Sequence, residues 1–237
     1  MTENNSQEAS NNHNQLPHHY IEISTRNISL RSDAPVSFNE HILVFDMDDC
    51  LYHNRGVEEM CRSHALGIFC SKTNGTEAEF DEKCRKHGTR RMLFLTEFDM
   101  ESDEICCGIE SPDFSGLLKP SDELIAKLSG LNHRVFLLTN STRCRTQHVL
   151  GLLGLDALFE RVFVMDLRES ALFMKPGRNG YQFVADYLGV EAERVHFFDD
   201  MPRNIDGATA VGWNGYLVQN NLIDQIDRAV EKIEKGK

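Results

Sequence analysis

Asp46 and Asp48 stand two residues apart in Asp46-Met47-Asp48-Asp49-Cys50-Leu51-Tyr52, directly after the apolar run Ile42-Leu43-Val44-Phe45. Residues two apart at the end of a strand project to one side, so both carboxylates can converge on one ligand. Converging carboxylates repel unless a cation lies between them or one keeps a proton. Either outcome suits phosphate chemistry, because magnesium accepts carboxylate oxygens together with a phosphate oxygen. Three further groups share this placement. Thr139-Asn140 follows Phe136-Leu137-Leu138, and a hydroxyl leading into a helix N-terminus cradles phosphate. Lys175, in Met174-Lys175-Pro176-Gly177, offers the positive charge that developing phosphoryl oxygens require. Asp199-Asp200 follows Val195-His196-Phe197-Phe198, with Asn204 four residues on, and would complete a metal's oxygen shell.

Taken singly, each group has a plainer explanation. An acidic pair or a threonine after a strand serves as a helix cap, and a lone lysine is a solvated charge. Their joint order, each tied to its own strand end, is what coincidence explains poorly.

The elements that must position them follow from periodicity. Ile42–Phe45, Val135–Leu138, Val162–Met165, Val195–Phe198 and Tyr216–Val218 are short continuous apolar runs, the pattern of parallel strands buried on both faces. Between them lie helical stretches. One is capped by Ser121, one runs from Thr142 to Leu153 and stops at Gly154, and one runs from Tyr181 to Leu188 and stops at Gly189. Alternating strands and helices predict an α/β fold, a doubly wound parallel (Rossmann-like) sheet. Some seventy residues separate the first strand from the Ser121 helix, far more than a βα loop needs. Val57, Met60, Cys61, Ala65, Ile68 and Phe69 keep helical spacing there, and Phe80 with Cys84 marks a second helix. The expected organisation is a disordered tail over 1–37, a core over 38–52 and 119–237, and a small helical cap over 53–118. Ligands bind at the carboxyl ends of such strands, so the cap would close over the site as a lid.

The formal net charge is −12, which disfavours a nucleic-acid polymer as partner. No apolar run approaches the length of a membrane span and the N-terminus lacks a secretory core, so no membrane partner is expected and cytosol or nucleus is the default. Seven cysteines include no C-x-x-C, which predicts neither a zinc site nor a disulfide framework and leaves reduced thiols. An acidic chain acting on an anion needs a local positive feature. Arg85-Lys86-His87-Gly88-Thr89-Arg90-Arg91 is the candidate, with Arg90 and Arg91 as possible substrate contacts and a solvated helix end as the plainer account. Tyr52 would stack on a substrate base or plug the cap hinge. Asn140 would face the substrate beside Thr139.

Asp46-x-Asp48, Thr139, Lys175 and Asp199-Asp200 resemble, in that order, the four motifs of haloacid dehalogenase superfamily phosphatases, over about residues 41 to 220. The Asp-x-Asp-x-x-Leu-Tyr form, Leu-Thr-Asn and Phe-Asp-Asp-x-x-x-Asn look most like the pyrimidine 5′-nucleotidase branch. The resemblance implies Asp46 as nucleophile and Asp48 as the acid that protonates the leaving oxygen. Magnesium would be held by Asp46, the backbone carbonyl of Asp48 and chiefly Asp200, with Asp199 and Asn204 assisting. Two in-line displacements through an aspartyl phosphate would release a small phosphorylated metabolite, for which a pyrimidine nucleoside 5′-monophosphate is the expected substrate. The alternatives are a sugar-phosphate phosphatase or a phosphomutase on the same core, and a catalytically inactive phosphate-binding module. A dehalogenase is disfavoured, since Asp48 would have no proton to give a departing halide. The oligomeric state has no signature in the sequence.

Overall fold

The computed structural model describes residues 19–236. In chain order its elements are β1 Tyr20–Ile23, β2 Ile42–Phe45, α1 Arg55–Thr73, α2 Glu77–His87, α3 Arg90–Glu97, α4 Asp122–Ser129, β3 Val135–Leu138, α5 Arg143–Leu153, β4 Arg161–Met165, α6 Ser170–Phe173, α7 Arg178–Leu188, β5 Val195–Asp199, α8 Pro202–Ala210, β6 Asn214–Leu217 and α9 Leu222–Lys235, with a π-helical turn at Glu104–Ile109. The strands form one parallel sheet in the order β1-β4-β3-β2-β5-β6. Every residue of β2 and β3 is buried, as continuous apolar strands require. Leu43, Phe45, Leu137, Val162, Val164 and Phe198 pack on one face, while Val44, Phe136, Leu138, Phe163 and Phe197 pack on the other. Side chains alternate between the two faces, so each strand feeds both halves of the core.

Helix limits follow local chemistry. Ser121 Oγ accepts from Leu124 N at 3.3 Å and starts α4. Gly154 (φ 68°) and Gly189 (φ 65°) end α5 and α7 in the left-handed conformation that glycine adopts without strain. From β2 the chain moves outward through β3 and β4, then crosses to β5 on the other side of β2. That reversal opens the crevice at the carboxyl ends of β2, β3 and β5.

The insertion between β2 and α4 is helical and has its own core of Ala65, Phe69, Phe80, Leu93, Phe94, Met100, Ile105 and Ile109. Thr76 and Glu79 form a reciprocal capping box at the start of α2. Its two connections to the sheet are stapled together. Asn54 caps α1 through Oδ1 to Gly56 N (3.0 Å) and donates from Nδ2 to Leu117 O (2.8 Å).

Two expectations need correction. Residues 19–37 are not a loose tail, since Tyr20–Ile23 forms edge strand β1 beside β4, with Tyr20 and Ile23 buried and Val36 bonded to Leu188 O. An edge strand needs apolar contact and a ladder on one side only, so four residues suffice and leave little periodicity. The remainder of the tail, 1–18, lies outside the described residues. The cysteines are not all free, because Cys107 and Cys144 form a disulfide joining the π-helical turn to α5, with Cα atoms 5.4 Å apart. The pair is 37 residues apart in the chain, a spacing that carries no signature.

Candidate active site

Asp46, Thr139 and Asp199 occupy the ends of β2, β3 and β5 because their strands extend the ladder to them. Asp46 N donates to Phe198 O (2.8 Å), Thr139 N to Phe163 O (3.1 Å) and Val218 N to Asp199 O (2.9 Å). Lys175 enters from the segment between α6 and α7. Gly207 of α8 lets that segment come close, since a Cβ there would stand 2.5 Å from the Pro176 carbonyl oxygen. Asp46, Thr139 and Lys175, together with Asp48, Asn140, Ser141, Arg91, Asp200, Arg203 and Asn204, line a cavity of about 210 Å³.

Lys175 is 2% exposed and spends its three ammonium protons inside the protein. Nζ donates to Leu138 O (2.9 Å) and Asp199 Oδ2 (2.8 Å) and lies 2.6 Å from Asp46 Oδ1. Burial opposes its charge, but Asp46 and Asp199 outweigh that and hold its pKa above the ordinary lysine value. Asp199 is fully engaged, since Oδ1 also accepts from Met201 N (2.8 Å) and Asn204 Nδ2 (2.9 Å). It anchors Lys175 and Asn204 more than it faces the cavity.

Burial pushes the Asp46 carboxyl up to about 8 against the pull of Lys175, and Asp199 adds to the rise. Burial likewise raises Asp200 to about 6, with Asp199 and then Asp49 as the next causes. Asp46, Asp199 and Asp200 each bring a carboxylate oxygen within 4.8 Å of the others. Asn204 Oδ1 is buried without a hydrogen-bond partner while its amide nitrogen is held by Asp199. Three crowded carboxylates and an orphaned amide oxygen are the hard, oxygen-only donor set that a magnesium ion fits.

Asp48 has the opposite environment, with a side chain 38% exposed. Oδ1 accepts from Arg145 NH2 (2.8 Å) and from the Tyr52 hydroxyl, and Oδ2 accepts from Ser141 Oγ at 3.2 Å. Burial would raise its pKa, but Arg145, Tyr52 and Ser141 prevail and hold it below the usual carboxylate range. Thr139 Oγ1 accepts from Ser141 N (3.0 Å), which shapes the turn into α5 and leaves the threonine proton directed elsewhere.

The geometry redistributes several sequence-predicted roles. Asn140 lines the cavity, yet its side chain is spent on the Lys175 backbone, with Nδ2 to Lys175 O (3.0 Å) and Oδ1 from Lys175 N (2.8 Å). It staples the lysine segment in place. Tyr52 neither stacks in the cavity nor merely fills the hinge, because its hydroxyl binds Asp48. Arg91 of α3 does reach the cavity and donates to the Asn140 carbonyl at 3.2 Å. Arg90 is turned away, paired with Glu110 (2.6 Å) and Glu58, because adjacent helical residues point about a quarter-turn apart. Arg145, Ser141 and Arg203 are the cavity and near-cavity groups that sequence reasoning missed. Arg145 sits within α5, where an arginine reads as a solvated face, and only the fold reveals that it is buried.

Residues 41–212 match the haloacid dehalogenase-like hydrolase family. The chain belongs to that family. Haloacid dehalogenase-like solved structures share its fold. One is a family hydrolase from Xanthomonas campestris, 14% identical, with a TM-score of 0.54 over 86% of this chain and 99% of that one. Another is a family enzyme from Bacteroides thetaiotaomicron, solved with magnesium and inorganic phosphate, 16% identical, with a TM-score of 0.52 over 77% of this chain and 96% of that one. A third, from Porphyromonas gingivalis, is 20% identical with a TM-score of 0.50 over 81% and 98%. The chain is therefore a hydrolase by family. Among the described residues no helix is long and apolar enough to cross a membrane.

Proposed function

We propose that this haloacid dehalogenase-like hydrolase is a magnesium-dependent phosphatase that cleaves a small phosphate monoester through an aspartyl phosphate on Asp46. The observation that carries the reading is the split between two carboxylates two residues apart. Asp46 is buried against Lys175 beside the carboxylates of Asp199 and Asp200, while Asp48 is held apart by Arg145, Tyr52 and Ser141. Neighbouring carboxylates in opposed environments divide the labour of nucleophile and proton carrier.

Asp46, Asp200 and Asn204 would hold the ion, together with the Asp48 backbone carbonyl that the family resemblance names. Bound there, magnesium would neutralise phosphoryl charge. Lys175 fixes the attacking oxygen of Asp46 and supplies further positive charge, and Thr139 donates its hydroxyl proton to a phosphoryl oxygen. Asp46 attacks phosphorus as Asp48 protonates the leaving oxygen, and Asp48 then takes a proton from the water that cleaves the acyl phosphate. At rest Asp48 is a carboxylate, the form the second step uses. The proton of the first step can arrive with the ester itself, whose monoanion carries one below a pKa of about 6.

The partner is a small phosphorylated metabolite. A cavity of about 210 Å³ lies below the roughly 300–1,000 Å³ typical of drug-sized ligands, and the helical insertion stands over it. Within that class the motif resemblance names a pyrimidine nucleoside 5′-monophosphate. Tyr52 and Arg90 are engaged elsewhere, so the contacts to such a leaving group fall to Arg91 and Arg203. The test is kcat/KM for UMP, CMP, AMP, several sugar phosphates and a 2-haloacid, with and without magnesium. A sugar phosphate ahead of both pyrimidine nucleotides by tenfold, about 1.4 kcal/mol of transition-state binding, ends the nucleotide reading and keeps the phosphatase. Turnover of the haloacid alone ends both.

A further inference from the structure

Arg145 has no role in the four family motifs, yet it is 5% exposed and its guanidinium touches both parts of the fold. One arm, NH2, donates to Asp48 Oδ1 at 2.8 Å. The other, NH1, donates to the Glu110 backbone carbonyl at 3.2 Å and lies 2.8 Å from Cys61 Sγ, two residues of the inserted segment. The plane stands over the Phe114 ring, its carbon 5.4 Å from the centroid. Taking a guanidinium out of water is costly, and the site compensates only through this full set of partners. A hydrophobic residue on α5 would have filled the space more simply, so the charge itself calls for a reason.

We propose that Arg145 is a positioning residue that decides which oxygen of Asp48 faces the leaving group, and that it does so only while the helical insertion is seated on the core. The inference rests on the phosphatase reading, in which Asp48 carries the proton. Oδ1 is occupied twice, by Arg145 and by the Tyr52 hydroxyl. Among the described residues Oδ2 meets only Ser141 Oγ, at 3.2 Å, and Ser141 lines the catalytic cavity. Oδ2 is thus the oxygen that bears the proton. As the Asp46–phosphorus bond forms and the bond from phosphorus to the leaving oxygen breaks, the proton moves from Asp48 Oδ2 to that oxygen. Asp48 is left as a carboxylate whose Oδ1 is still held. In the second step Oδ2 takes a proton from the attacking water, and the Asp46–phosphorus bond breaks.

Dependence on the insertion follows from the second arm. Glu110 is buried and gripped by Arg90, which also binds Glu58 on α1. Contacts therefore run from Glu58 through Arg90 and Glu110 to Arg145 and end on the acid. If the insertion lifts, NH1 loses its acceptor and the guanidinium is free to swing, so Asp48 loses the clamp that selects Oδ2. Only a planar fork can hold both sides at once, because a lysine ammonium would reach one of them.

The experiment uses the full chain with magnesium and a series of phosphate esters, from an activated aryl phosphate to an alkyl phosphate whose leaving oxygen needs a proton. Wild type, Arg145→Lys, Arg145→Met and Tyr52→Phe are compared, with thermal melting to verify folding. Arg145→Met is expected to lose about 100-fold in kcat on the alkyl phosphate and less than about tenfold on the aryl phosphate, with KM little changed. Arg145→Lys should fall between Arg145→Met and wild type, and Tyr52→Phe should show the same selectivity more weakly. If Arg145→Met fails to fold, Arg145→Lys and Tyr52→Phe decide alone. Equal losses on both esters, or a change in KM or melting temperature only, would overturn the role of Arg145 and leave the phosphatase reading standing. Absence of phosphate-ester turnover by wild type would overturn both.

Discussion

Lys175 Nζ lies 2.6 Å from Asp46 Oδ1, and its side chain is 1% exposed to solvent. The same nitrogen reaches Asp199 Oδ2 at 2.8 Å, so one buried cation holds two buried carboxylates apart. Removing one partner of a buried ionic group strands the others, which costs about 3–5 kcal/mol. Lys175→Met should lower the urea-unfolding free energy of magnesium-free protein by that amount and abolish turnover. Adding Asp199→Asn should restore much of the stability and none of the activity. A Lys175→Met protein as stable as wild type would contradict the assigned pairing.

Magnesium affinity should depend on pH through Asp200. Its folded pKa, about 6, is raised above the ordinary 3.8, by burial first and then by Asp199 and Asp49. For a raised carboxyl, the stabilising contribution is complete below the unfolded value and is lost as pH climbs through about 6. Metal-free protein should therefore lose stability across that window. A cation needs deprotonated ligands, so Asp200 should add up to about tenfold per pH unit below about 6 to the rise that Asp46, pushed up to about 8, imposes throughout. Calorimetric titration with magnesium between about pH 5 and 7 checks this. Affinity that stays flat, or falls as pH rises, would count against Asp200 as a ligand.

The adjacent arginines of α3 should separate cleanly. Arg90 is tied to Glu110 and Glu58, so Arg90→Met should destabilise by about 3 kcal/mol, and its effect on turnover should follow the leaving-group selectivity of the Arg145 variants. Arg91 lines the catalytic cavity and donates to the Asn140 carbonyl, so Arg91→Met should raise KM about tenfold with little change in melting temperature. Steady-state kinetics and melting curves on both variants test the division. The reverse pattern would mean the two roles are exchanged.

Much of the fold was legible in the chain because the central strands are buried on both faces. Ile42–Phe45 and Val135–Leu138 leave no polar residue to blur the pattern, and both strands occupy those residues. The helix stops at Gly154 and Gly189 were legible for a local reason, the left-handed backbone each adopts. Edge strand β1 was not, because one-sided pairing asks little of Tyr20–Ile23. Asp46, Thr139 and Asp200 gather at one cavity because strand order brings their strand ends together, whereas Lys175 does not stand at a strand end as expected but reaches the same cavity from the segment between α6 and α7. The supporting contacts were hidden. Whether Arg90 or Arg91 faces the cavity depends on the phase of α3, and Arg145 gains its meaning only when α5, the insertion and Asp48 meet. The Cys107–Cys144 disulfide was hidden for the same reason, since it joins residues that only tertiary packing makes neighbours.

The proposed mechanism requires a phosphoryl group carried covalently by Asp46. The most direct measurement is acid quench of the enzyme during turnover of a labelled phosphate ester, followed by peptide mapping and treatment with hydroxylamine, which discharges acyl phosphates. Wild type should carry acid-stable label on the peptide holding Asp46, released by hydroxylamine, and Asp48→Asn should accumulate it on an activated aryl phosphate because water attack is slowed. Asp46→Asn should carry none and turn over no ester, while staying folded. Label on another residue, or Asp46→Asn activity within about tenfold of wild type, would contradict the nucleophile and with it the mechanism.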